Sequence, residues 1–315
     1  MITVLRAPAY LTVQDGGRRF ARSSGVPRGG AMDSFALAAT NIIAGNPANA
    51  PALEWALTSG TIRFERQCVF ATGGASPEVF LGGKPVAPLT AVAADAGDEL
   101  TVGAFSARRF LYVAISGGVA VPTVLQSAAT YLPAKFGGFE GRMIKRGDQL
   151  PMGRAKATSA GFKCPRELSL DYDVAAVRVT RGPQAALFGH DSWRTLLGAE
   201  FTIAHASDRT GYRLEGQTIP HQLGLLPSEA GCCGAIQVPL DGNPIVLMAD
   251  APTVGGYPKI AVVSEADLPV LAQKAPGDRV RFDLITIEES QRSLRRRAAD
   301  LALLSAKRDS GAASA

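Results

Sequence analysis

The sequence holds little of what self-contained catalytic centres are usually built from. Its three histidines, His190, His205 and His221, fall in no H-E-x-x-H or H-x₃₋₅-H pattern, so a zinc site is not expected. The four cysteines, Cys68, Cys164, Cys232 and Cys233, include no C-x-x-C pair, and adjacent Cys232 and Cys233 do not easily close a disulfide on themselves. No G-x-S-x-G occurs, and no histidine stands beside a recognisable nucleophile signature. Gly82-Gly83-Lys84-Pro85 ends in Gly-Lys but lacks the upstream glycine and the following Ser or Thr of a phosphate loop. The longest apolar stretch, 110–134, is broken by Gly117, Gly118, Pro122 and Pro133, so no span of about 20 apolar residues exists. Met1 to Arg6 lacks the basic region and apolar core of a signal peptide, and the chain reads as cytoplasmic, reduced and soluble.

Charge is also sparse, at 19% of residues, and the net +5 leans on one place: Arg292, Arg295, Arg296, Arg297, Lys307 and Arg308 all lie in 292–308. A basic tail of this kind reads as a solvated helix or a frayed end. With no Lys/Arg run interleaved with aromatics elsewhere, nucleic acid is not an expected partner, and neither is a membrane.

What the chain has in quantity is punctuation. Its 34 glycines and 20 prolines are spread without period through 315 residues that are 46% hydrophobic, which favours short elements joined by turns in one large or two average domains. Short β-branched or aromatic runs at 2–5, 10–13, 61–64, 68–71, 78–81 and 110–115 read as strands of a barrel or sandwich. One helix interrupts them, with Asp33 as N-cap, Phe35, Ala38 and Ile42 on one face, and Gly45 at its end.

A second domain follows the polar stretch 154–165. Strands are expected at 176–180, 201–204, 235–238, 245–248, 260–263 and 279–282, a helix at 191–197, and a short helix opening on a Ser264-Glu265-Ala266-Asp267 capping box with Leu268 and Leu271 buried. The boundaries are 1–165, 166–287 and a tail at 288–315 that is helical through Leu294, Leu301 and Leu304 and then disordered. Ala96-Gly97-Asp98-Glu99-Leu100 echoes Pro276-Gly277-Asp278-Arg279-Val280. The echo fits either an internal duplication or a common turn solution.

Polar chemistry is densest between Ser207 and Lys259. Turn-formers there alternate with Asp208, Arg209, Tyr212, Ser228, Glu229, Gln237, Asp250 and Lys259, and Gly255-Gly256-Tyr257 closes the set. Such loops let backbone N–H groups approach an anion or carbonyl while Arg, Lys and Gln orient it, although each block also reads as a plain turn. Gln237 stands in an apolar strand, where a buried amide needs a partner, protein or substrate. Cys232 and Cys233 read either as a nucleophile or as small thiols in a tight turn. In the first half Asp15, the arginines 18, 19, 22 and 28, and Met32-Asp33 form a glycine-rich basic loop before a helix. That is either an anion site or an irregular connection with solvated arginines.

In their order, Val13-Gln14-Asp15, Gly30-Ala31-Met32-Asp33, Ala52-Leu53-Glu54, Gly73-Gly74-Ala75, Ser207-Asp208-Arg209 with Gly211-Tyr212-Arg213-Leu214, 234–239, Asp241-Gly242, 255–259 and Pro276-Gly277-Asp278 resemble the biotin-dependent carboxyltransferase subunit family. The likeness runs from about residue 3 to 285. The family includes the C-type subunit of 5-oxoprolinase (the KipA type), allophanate hydrolase subunit 2 and the carboxyltransferase region of urea carboxylase.

The resemblance implies a mainly β chain, with two cyclophilin-like β-barrel domains and a few short helices. It implies a B-type partner (KipI or allophanate hydrolase subunit 1-like), an A-type subunit and a small amide substrate. The chemistry it implies is ATP-driven opening of 5-oxoproline to glutamate, with ATP and magnesium shared with a partner, or carboxyl transfer from biotin on a separate carrier. A regulatory pairing without catalysis is the remaining alternative. On this reading Lys259 and Gln237 orient or neutralise the amide oxygen, Asp208 or Asp250 handles a proton, and Arg209 holds a carboxylate or phosphate. Tyr212, Ser228, Glu229, Gly255, Gly256 and Tyr257 line the substrate, with Asp15, Met32 and Asp33 from the first half, and no metal ligands are expected. The chain departs from the family pattern at Ala230-Gly231-Cys232-Cys233, at Pro252-Thr253-Val254 and at Arg18-Arg19-Phe20, so its substrate is open to difference.

Overall fold

The computed structural model describes residues 1–155 and 158–312. They form two compact units: Met1–Arg18, Gly29–Leu170 and, as far as it is described, the end from residue 299 make the first, Arg19–Arg28 and Asp171–Ala298 the second. As the pattern predicts, the chain is mainly β.

The first unit holds two antiparallel sheets. One runs in the order Gln149–Leu150, Ile2–Arg6, Gly60–Phe64, Glu99–Val102, Val79–Leu81, Lys84–Pro85; the other runs Tyr10–Gln14, Ala52–Ala56, Phe110–Ile115, Cys68–Gly74, Val92–Ala94. Gly60–Phe64 alternates buried with half-buried residues, the period-two signature of a strand with one face on a core. Phe110–Ile115 is buried at every position because it is the central strand of its sheet and α1 packs on it. Phe64 and Phe70, one from each sheet, stack with centroids 5.2 Å apart and join the two layers.

Helix α1 spans Ser34–Ile43. Asp33 accepts the Ala36 amide at 2.8 Å, as an N-cap must, and Gly45 takes a left-handed φ of +80° just past the end. Gly73 is required beneath it, since a Cβ there would collide with the Thr40 hydroxyl.

The second unit is built on one eight-stranded sheet, in the order Arg279–Val280, Phe201–Ile203, Gly211–Glu215, Ile245–Leu247, Ala235–Gln237, Lys259–Val263, Val177–Arg181, Phe282–Leu284. The first and last members are consecutive in the chain. The segment 279–284 therefore pairs at both edges, antiparallel at one and parallel at the other, and curls the sheet into a nearly closed barrel. A two-residue ladder, Glu229–Ala230 against Val254–Gly255, stands beside it. Helix α2 covers His190–Gly198 and α3 covers Leu268–Ala272.

Three expectations change. The short helix does not open at Ser264: Asp267, the acid of the expected capping box, instead accepts from the Arg178 amide at 2.9 Å and from its guanidinium at 2.8 and 2.5 Å, so α3 starts four residues later. The tail does form helix α4, Ile287–Ala312, but at 26 residues it is not short. It opens on a Thr286–Glu289 capping box, in which the Glu289 carboxylate accepts the Thr286 amide at 2.8 Å and the Thr286 hydroxyl accepts the Glu289 amide at 3.2 Å. Nor is all its charge solvated. Arg308 is buried, donates to the carbonyls of Ile43 (3.1 Å) and Ser159 (2.6 Å), and lies over Phe162; burial lowers its pKa. The expected disordered end, 313–315, lies outside the described residues, and among these no helix is long and apolar enough to cross a membrane.

The echo has a local cause. In Asp98 and Asp278 alike, the carboxylate accepts the amide three residues back (2.8 and 2.7 Å) across a left-handed glycine. Gly147-Asp148 repeats this at 2.8 Å before Gln149–Leu150, so three turns share one solution and the echo does not by itself argue duplication.

Candidate functional site

The barrel of the second unit brings Gln237 and Lys259 together. They lie opposite each other on neighbouring strands, next to a bulge after Ile236, so both side chains leave the same face. Both are buried, Lys259 at 1% and Gln237 at 5% exposure. Lys259 Nζ donates to Glu229 Oε1 at 2.5 Å, and Glu229 is itself partly exposed on its two-residue strand.

Gln184, which sequence reasoning missed, fixes this arrangement. Its Oε1 accepts the Lys259 amide at 3.0 Å, its own amide donates to the Lys259 carbonyl at 3.2 Å, and its Nε2 donates to Glu229 Oε1 at 2.6 Å. The hydrogen bonds from Lys259 and then Gln184 hold the Glu229 carboxyl below the usual carboxylate range. The only signal for Gln184 in the sequence is its place after the Gly182-Pro183 turn, which lays it over the Lys259 backbone.

The Gln237 side-chain amide makes no hydrogen bond within the described residues. Beside its Nε2 sits Gly255, where an added Cβ would lie 3.2 Å away, so the missing side chain keeps the amide approachable. Gly256 is needed for another reason: its carbonyl accepts the Leu226 amide at 2.9 Å, and a Cβ would stand 2.6 Å from the Leu226 carbonyl. Tyr257 and Ser228 are exposed next to these loops in sequence.

The other expected site residues of this unit stand elsewhere. Arg209 and Asp250 form a buried two-point pair, Nε to Oδ2 at 2.8 Å and Nη2 to Oδ1 at 3.0 Å. They lie past Leu247, whereas Gln237 faces Ile245 at the opposite end of that strand. Asp208 is exposed and its Oδ1 accepts the amides of Thr210 (2.8 Å) and Gly211 (3.3 Å), an Asx turn. Tyr212 is wholly buried, its hydroxyl donating to the Ala272 carbonyl at 2.7 Å.

Cys232 and Cys233 follow Gly231, whose carbonyl accepts from Arg22. Burial raises both thiols, Cys233 to about 12, against the pull of nearby cations, so the pair favours the reading of thiols in a tight turn over an activated nucleophile.

In the first unit Asp15, Met32 and Asp33 organise backbone. Asp15 accepts from the Gly17 amide (2.8 Å), the Ser127 hydroxyl (2.7 Å) and the Ala128 amide (2.6 Å). The Met32 amide donates to Glu54 at 2.9 Å, and the Asp33 amide to the Tyr112 hydroxyl at 2.9 Å. Glu54 is fully buried and also accepts from Tyr112 at 2.7 Å and Tyr10 at 3.2 Å, so one strand row collects the Gly-Ala-Met-Asp, Ala-Leu-Glu and Val-Gln-Asp blocks. Burial and the neighbouring Glu54 raise the Tyr112 phenol well above its ordinary value. Of the loop arginines, Arg18 is fully buried, donates to the Ala129 carbonyl and stacks on Phe136, so it is not solvated.

Comparison with known proteins agrees with the order of blocks. The family model described as carboxyltransferase domain, subdomain A and B, matches residues 24–284. The chain is 39% identical to the C subunit of 5-oxoprolinase from Escherichia coli over 92% of its own length and 93% of that protein's. It is 31% identical to urea amidolyase of Lachancea kluyveri over 87% of the chain but 16% of that protein. Among solved structures, the Kluyveromyces lactis urea carboxylase superposes with a TM-score of 0.89 at 27% identity, covering 96% of this chain and 29% of that one. From a matched family model and a near full-length relative, the chain belongs to the carboxyltransferase domain family, subdomains A and B.

Proposed function

We propose that this chain is the C-type subunit of an ATP-dependent amidohydrolase that opens 5-oxoproline to glutamate, acting with a B-type and an A-type subunit in the cytoplasm. The observation that carries the reading is coverage: the 5-oxoprolinase subunit is matched over almost its whole length, the urea amidolyase over a small part of a much longer chain. The division into a domain at 1–165, a second at 166–287 and a tail belongs to the same proposal.

Hydrolysis of the lactam adds water to the carbonyl carbon, breaks the C–N bond and returns a proton to nitrogen. The barrier lies in the negative charge that grows on the carbonyl oxygen, so preorganised donors in a dry site lower it. Gln237 Nε2 and Lys259 Nζ are such donors: buried, cross-strand neighbours, and reachable past Gly255. Lys259 meets the substrate oxygen when Glu229, the exposed partner, swings aside. The proton role expected of Asp208 or Asp250 passes in this reading to Glu229, because Asp250 is committed to Arg209 and Asp208 stands in an Asx turn at the other end of the ladder.

Nucleotide chemistry is assigned to a partner subunit. Gly82-Gly83 is a two-residue hairpin turn with both φ positive, joining Val79–Leu81 to exposed Lys84–Pro85, and offers no loop-to-helix cradle for phosphates. A second reading, carboxyl transfer from a separate biotinylated carrier to a urea-like amide, is favoured by the close fold match to urea carboxylase.

The test is the reconstituted complex of all three subunits supplied with 5-oxoproline and ATP. Glutamate formation that requires this chain supports the proposal, with Lys259→Ala and Gln237→Ala expected to reduce it by about 10²-fold or more. Absence of glutamate with all subunits present refutes it. Carboxyl transfer from a labelled biotinylated carrier establishes the second reading in its place.

A further inference from the structure

The segment 135–141, Lys-Phe-Gly-Gly-Phe-Glu-Gly, is absorbed by neither the family blocks nor the barrel site. In the first unit it forms one wall of a cleft of about 340 Å³, faced by Val121, Pro122, Val124 and Pro151. The backbone is unusual: Lys135, Gly137, Gly138, Glu140 and Gly141 all have positive φ, at 53°, 70°, 56°, 56° and 65°. Phe139 between them does not, so the sign of φ alternates along Gly138, Phe139 and Glu140, the pattern that turns successive N–H groups towards one point.

The loop holds its shape through other groups. The Gly138 amide donates to Ala128 at 2.9 Å and the Gly141 amide to Gly137 at 2.8 Å, while no acceptor among the described residues engages the amides of Gly137, Phe139 and Glu140. The glycines are obligatory. A Cβ at Gly138 would collide with the Thr130 hydroxyl, and one at Gly137 with the Ala129 carbonyl and the Arg18 guanidinium.

Two charges line the cleft. Glu140 is neutralised by Arg142, at 2.7 and 3.0 Å, and Arg142 also holds Asp148. Lys135 is exposed and has no side-chain partner among the described residues. Behind the wall the buried Arg18 guanidinium lies 4.6 Å from the Phe136 ring centre and adds positive potential.

We propose that this cleft binds a small monocarboxylate with an apolar body. Its carboxylate sits on the free amides of the loop and on Lys135, and its body rests against Val121, Pro122 and Phe139. A neutral apolar ligand leaves the amides and the ammonium unused, and a phosphate has no use for the apolar facing wall. The cleft is lined by residues of the first unit and the pair Gln237–Lys259 belongs to the second, so the carboxylate proposal is tested independently of the lactam reaction.

The experiment uses the full chain, with benzoate and phenylacetate as probes beside their primary amides, read by calorimetry and by amide resonances. Saturable binding of the acids is expected, with the amides at least about tenfold weaker and the Phe139 and Glu140 N–H signals moving downfield as they gain an acceptor. Lys135→Gln is expected to weaken the acids about tenfold, since it removes one charge-assisted contact. Lys84→Gln, an exposed lysine elsewhere on the first unit, is expected to change nothing. Equal affinity for acid and amide, binding unaltered by Lys135→Gln, perturbations confined to residues outside 120–151, or no saturable binding by either acid each overturns the proposal.

Discussion

Arg209 carries the sharpest choice between structure and substrate. Its guanidinium meets Asp250 at two points inside the second unit, with side-chain exposures of 9% and 5%. Removing one partner strips the other buried charge of its two-point ion pair, which costs about 3–5 kcal/mol, whereas replacing both by apolar groups of similar volume is often close to neutral. Arg209→Met and Asp250→Leu are therefore each expected to destabilise the second unit by about 3–5 kcal/mol, and the double variant by less than either, a coupling of at least about 3 kcal/mol. The chain has two tryptophans, Trp55 in the first unit and Trp193 in the second, so urea unfolding followed by fluorescence in a Trp55→Phe background reports on the second unit alone. With a denaturant slope of about 2 kcal/mol/M, a loss of about 4 kcal/mol lowers the midpoint by about 2 M. Single variants within about 0.5 kcal/mol of the parent, with additive effects, would refute the structural reading. If they also raised KM for a carboxylate-bearing substrate, Arg209 would be returned to the binding role expected of it from sequence.

Three further outcomes are expected. Tyr112→Phe strips Glu54 of a 2.7 Å donor and the Asp33 amide of its acceptor in a fully buried place, and should cost the first unit about 2–4 kcal/mol, read through Trp55 in a Trp193→Phe background; a loss under about 1 kcal/mol would contradict it. The Glu229 carboxyl should titrate below an ordinary glutamate by carbon-13 NMR and move up in Lys259→Ala. Because its folded pKa is depressed, the stability it contributes is present above the unfolded value and fades as pH falls through the folded one, so an unchanged midpoint in Lys259→Ala would rule out the pairing. Iodoacetamide at pH 8, followed by mass spectrometry, should label exposed Cys232 first. Cys68 and Cys233, pushed up to about 12, and Cys164, up to about 11, should lag behind it, and early modification of Cys233 would contradict its raised thiol.

Much of the architecture is legible along the chain because its causes are local. Asp33 and Gly45 announce the ends of α1, alternation announces Gly60–Phe64, and Gly-Asp announces three turns of the same build. Where reading failed, a distant group won. Asp267 looks like a capping acid until Arg178, 89 residues away, takes its carboxylate. Arg308 looks solvated until the carbonyls of Ile43 and Ser159 and the ring of Phe162 enclose it.

The site divides in the same way. Composition and block order alone determined a mainly β chain of this family and singled out Lys259 and Gln237, because residue type at a turn or in an apolar strand is a property of the segment itself. Only the tertiary structure decided that these two face each other across a bulge, that Gln184 locks Lys259 to Glu229, and that Arg209 is spent on Asp250. Partnership between side chains dozens of residues apart is set by strand register and barrel closure, and no local pattern encodes either. In the proposed function the chemistry rests on a few buried polar groups, and which neighbours each of them has is set by the fold.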